Sequence, residues 1–117
     1  MNDLSIIIVN YNSGSILETL VDYLLQTLTT AEVILVDNNS SDRSADFSTQ
    51  LSSVRLISQA KNIGFGAAAN IGATAASRPI LLFLNPDCFP NDDAISEMAK
   101  VLESDNNAGL CGARLLD

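Results

Sequence analysis

Histidine and tryptophan are absent from this 117-residue sequence, and cysteine occurs only twice. The lack of histidine excludes histidine-based catalytic triads and most zinc sites. The two cysteines, Cys88 and Cys111, are too few for a disulfide framework and favour free thiols in a reducing compartment. Because only 5% of the residues are aromatic, the hydrophobic core must be built from aliphatic side chains.

Basic residues are also scarce, since six lysines and arginines stand against 14 acidic residues and give a formal charge of −8. Proteins that bind nucleic acids concentrate positive charge, so this balance argues against a nucleic-acid partner. The apolar run near the N-terminus is too short for a signal peptide, and no segment reaches the length of a membrane span. The sequence therefore predicts a cytoplasmic protein with no membrane segment in this chain.

Short β-branched apolar runs alternate with amphipathic stretches along the chain, which predicts one domain of βαβ units. Right-handed crossovers then give an α/β fold, an open parallel sheet with helices on both faces. Ser15 and Glu18 have the spacing of a capping box, and Asp42 would lie in a first helical turn, where the helix dipole favours it. The predicted strands are residues 4–9, 32–37, 54–58, 80–84 and 109–113, and the predicted helices are residues 15–28, 42–51, 64–76 and a stretch opening at 90–93.

Polar side chains follow four consecutive predicted strands at the points where the strands end. In an open parallel sheet, ligands bind outside the carboxyl ends of the strands, so these residues form a candidate ligand-binding edge. They are Asn10, Tyr11 and Asn12 after the first strand, Asp37, Asn38 and Asn39 after the second, Lys61 and Asn62 after the third, and Asn85, Pro86 and Asp87 after the fourth.

Each of these segments has a functional and a structural interpretation. Asp37 and the amides beside it could accept and donate hydrogen bonds to a base and a ribose, or they could form a turn that caps the next helix. Asp87 suits a hard divalent cation that completes its shell with phosphate oxygens, or it belongs to a Pro-Asp turn. Lys61 is either a surface charge or a contact to a diphosphate.

A glycine-rich stretch at residues 64–69 matches the dinucleotide fingerprint G-x-G-x-x-A. That fingerprint belongs to the first strand-to-helix turn of a dinucleotide-binding fold, whereas here it follows the third predicted strand. Gly64 and Gly66 more simply let the loop pass close to a ligand or to the sheet. A nicotinamide-linked oxidoreductase domain is therefore kept as the alternative function, beside a non-catalytic α/β interaction module.

Four motifs together resemble family 2 glycosyltransferases, and the rhamnosyltransferase-like branch most of all. The resemblance implies the Rossmann-like GT-A fold, inverting transfer of a sugar from a UDP- or dTDP-sugar, with dTDP-rhamnose as one candidate, and help from Mg²⁺ or Mn²⁺. It also implies that Asn10 and Tyr11 line the nucleotide, that Asp37 binds the base and that Asp87 closes the metal-binding D-x-D motif. The motifs are SIIIVNYN at residues 5–12, VDNNSSD at 36–42, NIGFG at 62–66 with Ala69-Asn70, and LNPD at 84–87.

Two departures from the family pattern shape the expectations. Asn85 stands in place of the first Asp of D-x-D, so metal ligation would rest on Asp87 with water and phosphate. The family's general base, a carboxylate further downstream, has no counterpart before Asp117, so we expect this chain to bind the donor without turning it over unaided. The predicted donor-binding residues are Asn10, Tyr11, Asn12, Asp37, Asn38, Asn39, Lys61, Asn62, Gly64 and Asn85.

The remaining expectations concern partners. A member of this family would act on a glycan or lipid-linked glycan acceptor in the synthesis of cell-surface polysaccharide, and its full-length form would lie in the cytoplasm, peripheral to the inner membrane face. An unpaired strand at the edge of the sheet favours a homodimer, because exposed strand edges seek partners.

Overall fold

The computed structural model describes residues 3–112, with only the backbone of Asp92 included. Strands and helices alternate through this part of the chain, as the sequence predicts. Their order is β1 (Leu4–Asn10), α1 (Ile16–Thr27), β2 (Glu32–Asp37), a short 3₁₀ helix (Asp46–Gln50), β3 (Val54–Ser58), α2 (Phe65–Ala75), β4 (Ile80–Leu84) and α3 (Asp92–Ser104).

The four described strands form one sheet in the order β3-β2-β1-β4, and every neighbouring pair is parallel. All residues of β1 are buried, because β1 lies in the middle of the sheet and is covered on both faces. The register places Asn10 beside Asp37 and Asp37 beside Ser58. The carboxyl ends of three strands therefore meet at one level, which confirms the predicted α/β class with a parallel sheet.

Helices cover both faces of the sheet, and each face has its own apolar core. On one face, Leu17, Leu20 and Leu24 of α1 and Ile95 of α3 pack with Ile6, Ile8 and other β-strand residues. On the other face, Ala68 and Ala69 of α2 pack against Ile7, Val9, Ile34 and Val36. Small alanines let α2 approach the strands closely, whereas the leucines of α1 fill a thicker layer.

Three local predictions were wrong. No strand occurs at residues 109–112, and residue 113, the last of the predicted fifth strand, lies outside the described residues. The helix predicted at 42–51 is reduced to the 3₁₀ helix Asp46–Gln50, because Asp42 accepts from Gly14 N in the loop after β1 and Ser44 Oγ accepts from Asn10 at the end of β1. Ser15 makes no capping hydrogen bond, since its backbone is already helical and the capping box needs an extended residue there.

Among the described helices, none is long and apolar enough to cross a membrane. The cytoplasmic location remains a prediction.

Candidate functional site

The ends of β1 and β2 are joined through their side chains. Asn10 is fully buried, and its Nδ2 donates to Asp37 Oδ1 at 2.8 Å and to Ser44 Oγ at 2.8 Å. The same nitrogen lies 3.2 Å from Ser40 Oγ. Asn10 Oδ1 is buried without a hydrogen-bond partner among the described residues. Buried amide oxygens are normally satisfied, so this acceptor marks the end of β1 as a place where a donor is missing.

Ser40 holds the Asp37 carboxylate from the opposite side. Its hydroxyl donates to Asp37 Oδ1 at 2.7 Å, and its backbone N–H donates to Asp37 Oδ2 at 3.1 Å. Asp37 itself is half-buried. A carboxylate without a basic partner in this position is stabilised by neutral hydrogen-bond donors, and it retains capacity to accept further bonds from a ligand.

Asn12 ties the loop after β1 to the loop after β2. Its Oδ1 accepts from the backbone N–H groups of Ser41 at 2.8 Å and Asp42 at 3.2 Å. Asp42 also joins the two loops, because its Oδ2 accepts from Gly14 N at 3.0 Å. Its Oδ1 accepts from Ser44 N at 2.9 Å within its own loop. Bonds from the side chain and then the backbone of Ser44 hold the pKa of Asp42 below its ordinary value. Asp42 therefore joins loops, and its predicted place in a first helical turn was wrong.

Asn38 connects the end of β2 to the loop that precedes α2. Its side chain is buried, with Nδ2 donating to Gly64 O at 3.1 Å and Oδ1 accepting from Ile63 N at 3.2 Å. Asn62 Oδ1 accepts from Gly64 N at 2.9 Å, which closes a tight turn. Gly64 has a φ of +86°, a backbone conformation that glycine adopts without strain. Asn39 also has a positive φ, of +66°, and its side chain is exposed.

Asp87 lies on an exposed turn after β4. The turn is closed by a hydrogen bond from Cys88 N to Asn85 O at 3.0 Å, and the side chains of Asn85 and Asp87 are both exposed. Within residues 3–112, no group of three or more acidic or cysteine side chains is placed to hold a metal ion. A cation at Asp87 would therefore need most of its ligands from water and from a bound anion, which is how Mg²⁺ is usually held.

A contact from α1 fixes the loop that carries Asp87. Tyr23 Oη donates to Pro90 O at 2.7 Å, and the Tyr23 ring meets the edge of Phe89 with 5.8 Å between ring centroids. No local pattern in the sequence predicts this contact, because the hydrogen-bonded residues are 67 positions apart.

The predicted site residues thus follow the carboxyl ends of the strands, and six of them fall into two hydrogen-bonded groups. The structure joins Asn10, Asn12 and Asp37 into one hydrogen-bonded network, and Asn38, Asn62 and Gly64 into a second. Tyr11 leaves 52% of its surface exposed, and Lys61 is exposed and makes no ion pair within the described part of the chain. Sequence reasoning missed Ser40, Ser44 and Tyr23, although the run of serines after Asp37 was a signal for the first two.

The sequence matches the family described as glycosyl transferase family 2 over residues 5–117. The chain belongs to glycosyltransferase family 2. The GT-A fold that the motifs imply is confirmed by a mannosyltransferase structure from Pyrobaculum calidifontis, PcManGT, solved in complex with GDP-Man and Mn²⁺. That structure superposes with a TM-score of 0.75 at 20% sequence identity, over 86% of this chain and 32% of the other.

Two glycosyltransferases from other organisms are similar to this chain in sequence. A glycosyltransferase of Nostoc sp., itself uncharacterized, is 32% identical over 113 residues, which cover 92% of this chain and 35% of the relative. The low-salt glycan biosynthesis hexosyltransferase Agl10 of Haloferax volcanii is 31% identical over 110 residues, which cover 91% of this chain and 34% of the relative. The chain therefore spans about a third of the length of these relatives.

Membership of this family also decides between the interpretations of the glycine-rich stretch. Gly64 precedes α2, after β3, and β3 lies at an edge of the described sheet. A dinucleotide fingerprint would occupy the turn after the central strand β1, where Asn10 to Gly14 stand instead. The stretch at residues 64–69 lies within the part of the chain that matches the glycosyl transferase family, and the oxidoreductase alternative is set aside.

Proposed function

We propose that this chain binds the nucleotide-diphosphate sugar that a glycosyltransferase uses as its donor, with a UDP- or dTDP-sugar as the ligand. The observation that carries the proposal is the placement of Asp37 and Asp87 at the same edge of the sheet, one at the end of β2 and one after β4. A carboxylate at each place suits the two ends of a nucleoside diphosphate, the base and the metal-bound phosphates.

The base and ribose lie at the β1 and β2 ends in this proposal. Asp37 has acceptor capacity left after its bonds to Asn10 and Ser40, and a base N–H or ribose hydroxyl supplies the matching donor. Tyr11 follows Asn10 directly and exposes half of its surface, as expected of a ring that a base or sugar covers. Asn12, Asn38 and Asn39 follow the ends of the same two strands, and Asn12 and Asn38 hold the neighbouring loops in place.

The diphosphate lies towards residues 61–64 and 85–87. Asp87, free of hydrogen bonds to other described residues, is the residue that would hold Mg²⁺ or Mn²⁺, with Asn85 beside it and phosphate oxygens completing the shell. The cation supplies positive charge that stabilises the diphosphate as a leaving group. Lys61, Asn62 and the backbone at Gly64 contribute further contacts to the phosphates. The proposal assigns donor binding to these residues, and the general base of an inverting transfer lies outside it.

The relatives support the wider role. PcManGT was solved in complex with GDP-Man and Mn²⁺, and Agl10 is a hexosyltransferase of low-salt glycan biosynthesis. We extend the proposal accordingly to a glycan or lipid-linked glycan acceptor, to the synthesis of cell-surface polysaccharide, and to dTDP-rhamnose as one candidate donor. A cytoplasmic location beside the inner membrane face and a homodimer complete the proposed picture.

The test is a thermal-shift titration of the chain with UDP, dTDP, GDP and NAD, each with and without Mn²⁺. A ligand at one hundred times its Kd should stabilise the folded state by about 2.7 kcal/mol. We expect UDP or dTDP to stabilise the protein, and Mn²⁺ to enlarge the shift. Asp87→Asn should lose the Mn²⁺-dependent part and keep the rest, because it removes the charge at the proposed metal site.

Asp22→Asn is the matched control, since it removes one carboxylate from an exposed position on α1. It should leave every shift unchanged. Stabilisation by NAD alone would contradict the proposal, as would an equal response of Asp22→Asn and Asp87→Asn to the metal.

A further inference from the structure

Ser40 joins the Asp37 carboxylate to the end of β1 and to the loop that follows it. It takes part in four hydrogen bonds, two to Asp37, one from Asn12 N at 2.9 Å and one from Asn10 Nδ2 at 3.2 Å. Its hydroxyl is both the donor to Asp37 Oδ1 and the acceptor for the two β1-side groups. Among the described side chains, Ser40 alone forms hydrogen bonds with Asp37, Asn10 and Asn12 together.

These bonds give the two carboxylate oxygens of Asp37 different numbers of hydrogen bonds. Oδ1 accepts from Asn10 Nδ2 at 2.8 Å and from the Ser40 hydroxyl at 2.7 Å. Among the described residues, Oδ2 accepts from Ser40 N alone, at 3.1 Å. Because each carboxylate oxygen has room for about two hydrogen bonds, the free acceptor position lies on Oδ2. A ligand donor that reaches Asp37 would be received there.

Asn10 is a weaker anchor for this orientation. The two hydrogens on its Nδ2 face three acceptors, Asp37 Oδ1, Ser40 Oγ and Ser44 Oγ. Ser40 instead commits one hydroxyl hydrogen to Oδ1 and one amide hydrogen to Oδ2. Rotation of the carboxylate about its terminal bond therefore breaks two bonds to Ser40, whereas Asn10 can transfer its hydrogen to another acceptor.

We infer that Ser40 is a positioning residue for base recognition: it fixes Asp37 so that Oδ2 accepts the imide N–H of uracil or thymine. This inference rests on the proposed function, since it requires that a nucleotide occupies the strand-end edge. Cytosine carries a ring nitrogen without hydrogen at the same position and offers Oδ2 no such donor. A carboxylate held in one orientation thus selects uridine or thymidine nucleotides over cytidine nucleotides.

The experiment measures the affinities of the chain for UDP and CDP by calorimetry with Mn²⁺ present. A hydrogen bond to a charged acceptor leads us to expect a preference for UDP of about tenfold in the wild type. Ser40→Ala should lower the UDP affinity by about the same factor and leave the CDP affinity nearly unchanged. The ratio of the two affinities then falls towards one, which a general loss of stability would not produce.

Three variants complete the design. Ser40→Thr keeps the hydroxyl and should retain the UDP preference. Ser41→Ala, whose hydroxyl lies 3.4 Å from Asn12 Oδ1 and makes no contact with Asp37, is the matched control and should also retain it. Ser40→Cys replaces the hydroxyl by a thiol, which is a weak hydrogen-bond donor. It is the substitute for Ser40→Ala if that variant does not fold, and it should lose the preference for UDP over CDP.

Each outcome separates the inference from the function on which it rests. A wild type that binds no nucleotide overturns both. A wild type that binds UDP and CDP equally keeps the proposed function and rejects the role of Asp37 Oδ2. A UDP preference that persists in both Ser40→Ala and Ser40→Cys rejects the positioning role of Ser40 alone.

Discussion

At the scale of single residues, the missing side chain at Gly72 sets how closely α2 lies against the sheet. A Cβ atom at this position would stand 2.5 Å from Ile7 Cγ2 and 3.2 Å from Val36 Cγ2. The first distance is shorter than a carbon–carbon contact allows, and the neighbour is a branched side chain of the buried strand β1. Glycine at position 72 lowers the stability of α2 as a helix, but it allows α2 to pack closely on β1 and β2.

Gly72→Ala should therefore destabilise the fold. Overpacking of a tight core costs about 1–3 kcal/mol, against which the better helix propensity of alanine returns about 1 kcal/mol. Gly66→Ala is the control in the same helix, because a Cβ there meets nothing within 4 Å. We expect urea unfolding to show a lower midpoint for Gly72→Ala and an equal or higher midpoint for Gly66→Ala. Equal stability of the two variants would show that α2 shifts freely on the sheet.

At the scale of elements, the sequence predicted strands better than the segments between them. The bounds of β2, β3 and β4 agree with the predicted runs, because buried parallel strands are short apolar stretches bounded by polar residues. The predicted helix at 42–51 failed because Asp42 and Ser44 bond to groups brought by β1, which no local pattern reveals. The strand predicted at 109–113 was wrong over residues 109–112, because an apolar run by itself does not determine whether a segment pairs with the sheet.

Tyr23 illustrates how one element positions the loop of another. Tyr23→Phe keeps the ring that meets Phe89 and removes the hydroxyl that donates to Pro90 O. We expect a loss of about 1 kcal/mol in the free energy of unfolding. We also expect faster hydrogen exchange at Cys88 N, whose bond to Asn85 O closes the turn that carries Asp87.

Amide exchange followed by NMR provides the measurement, and the amides of β1 are the internal reference. Tyr11→Phe is the matched control, because the Tyr11 hydroxyl makes no hydrogen bond to any described residue. If Cys88 exchanges equally fast in both variants, then α1 does not hold the loop.

At the scale of the whole molecule, the carboxyl ends and the amino ends of the strands carry different polar networks. The carboxyl edge holds the candidate site, and its members could be predicted because parallel strands bring their ends together. At the amino ends of the strands lies Glu32, whose Oε1 accepts from Ser5 Oγ at 2.6 Å and from Ser77 N at 2.8 Å. Which polar side chains bond to one another could not be predicted at either edge, because the pairing depends on strand order and register.

The network at Glu32 makes the stability of the molecule depend on pH. The Ser5 hydroxyl, followed by the backbone N–H of Ser77, holds the pKa of Glu32 below its ordinary value of 4.5. A carboxyl with a lowered pKa in the folded state contributes stability above its ordinary pKa and loses it as the pH falls through the lowered value. The formal charge of −8 acts in the opposite direction, because its self-repulsion weakens as carboxylates become protonated.

Glu32→Gln separates these two effects. At pH 7 the variant should be about 1 kcal/mol less stable than the wild type, because it loses charge-assisted bonds from Ser5 and Ser77. The difference should begin to close as the pH falls below 4.5, where Glu32 of the unfolded chain becomes protonated, and should vanish once the pH has passed the lowered pKa of Glu32 in the folded state. Asp22→Asn removes one negative charge from an exposed position in the middle of α1, away from the helix termini, and reports the repulsion alone. Urea unfolding of the three proteins between pH 7 and pH 3 measures both effects, and a stability gap for Glu32→Gln that stays constant over this range would contradict the role assigned to the Glu32 network.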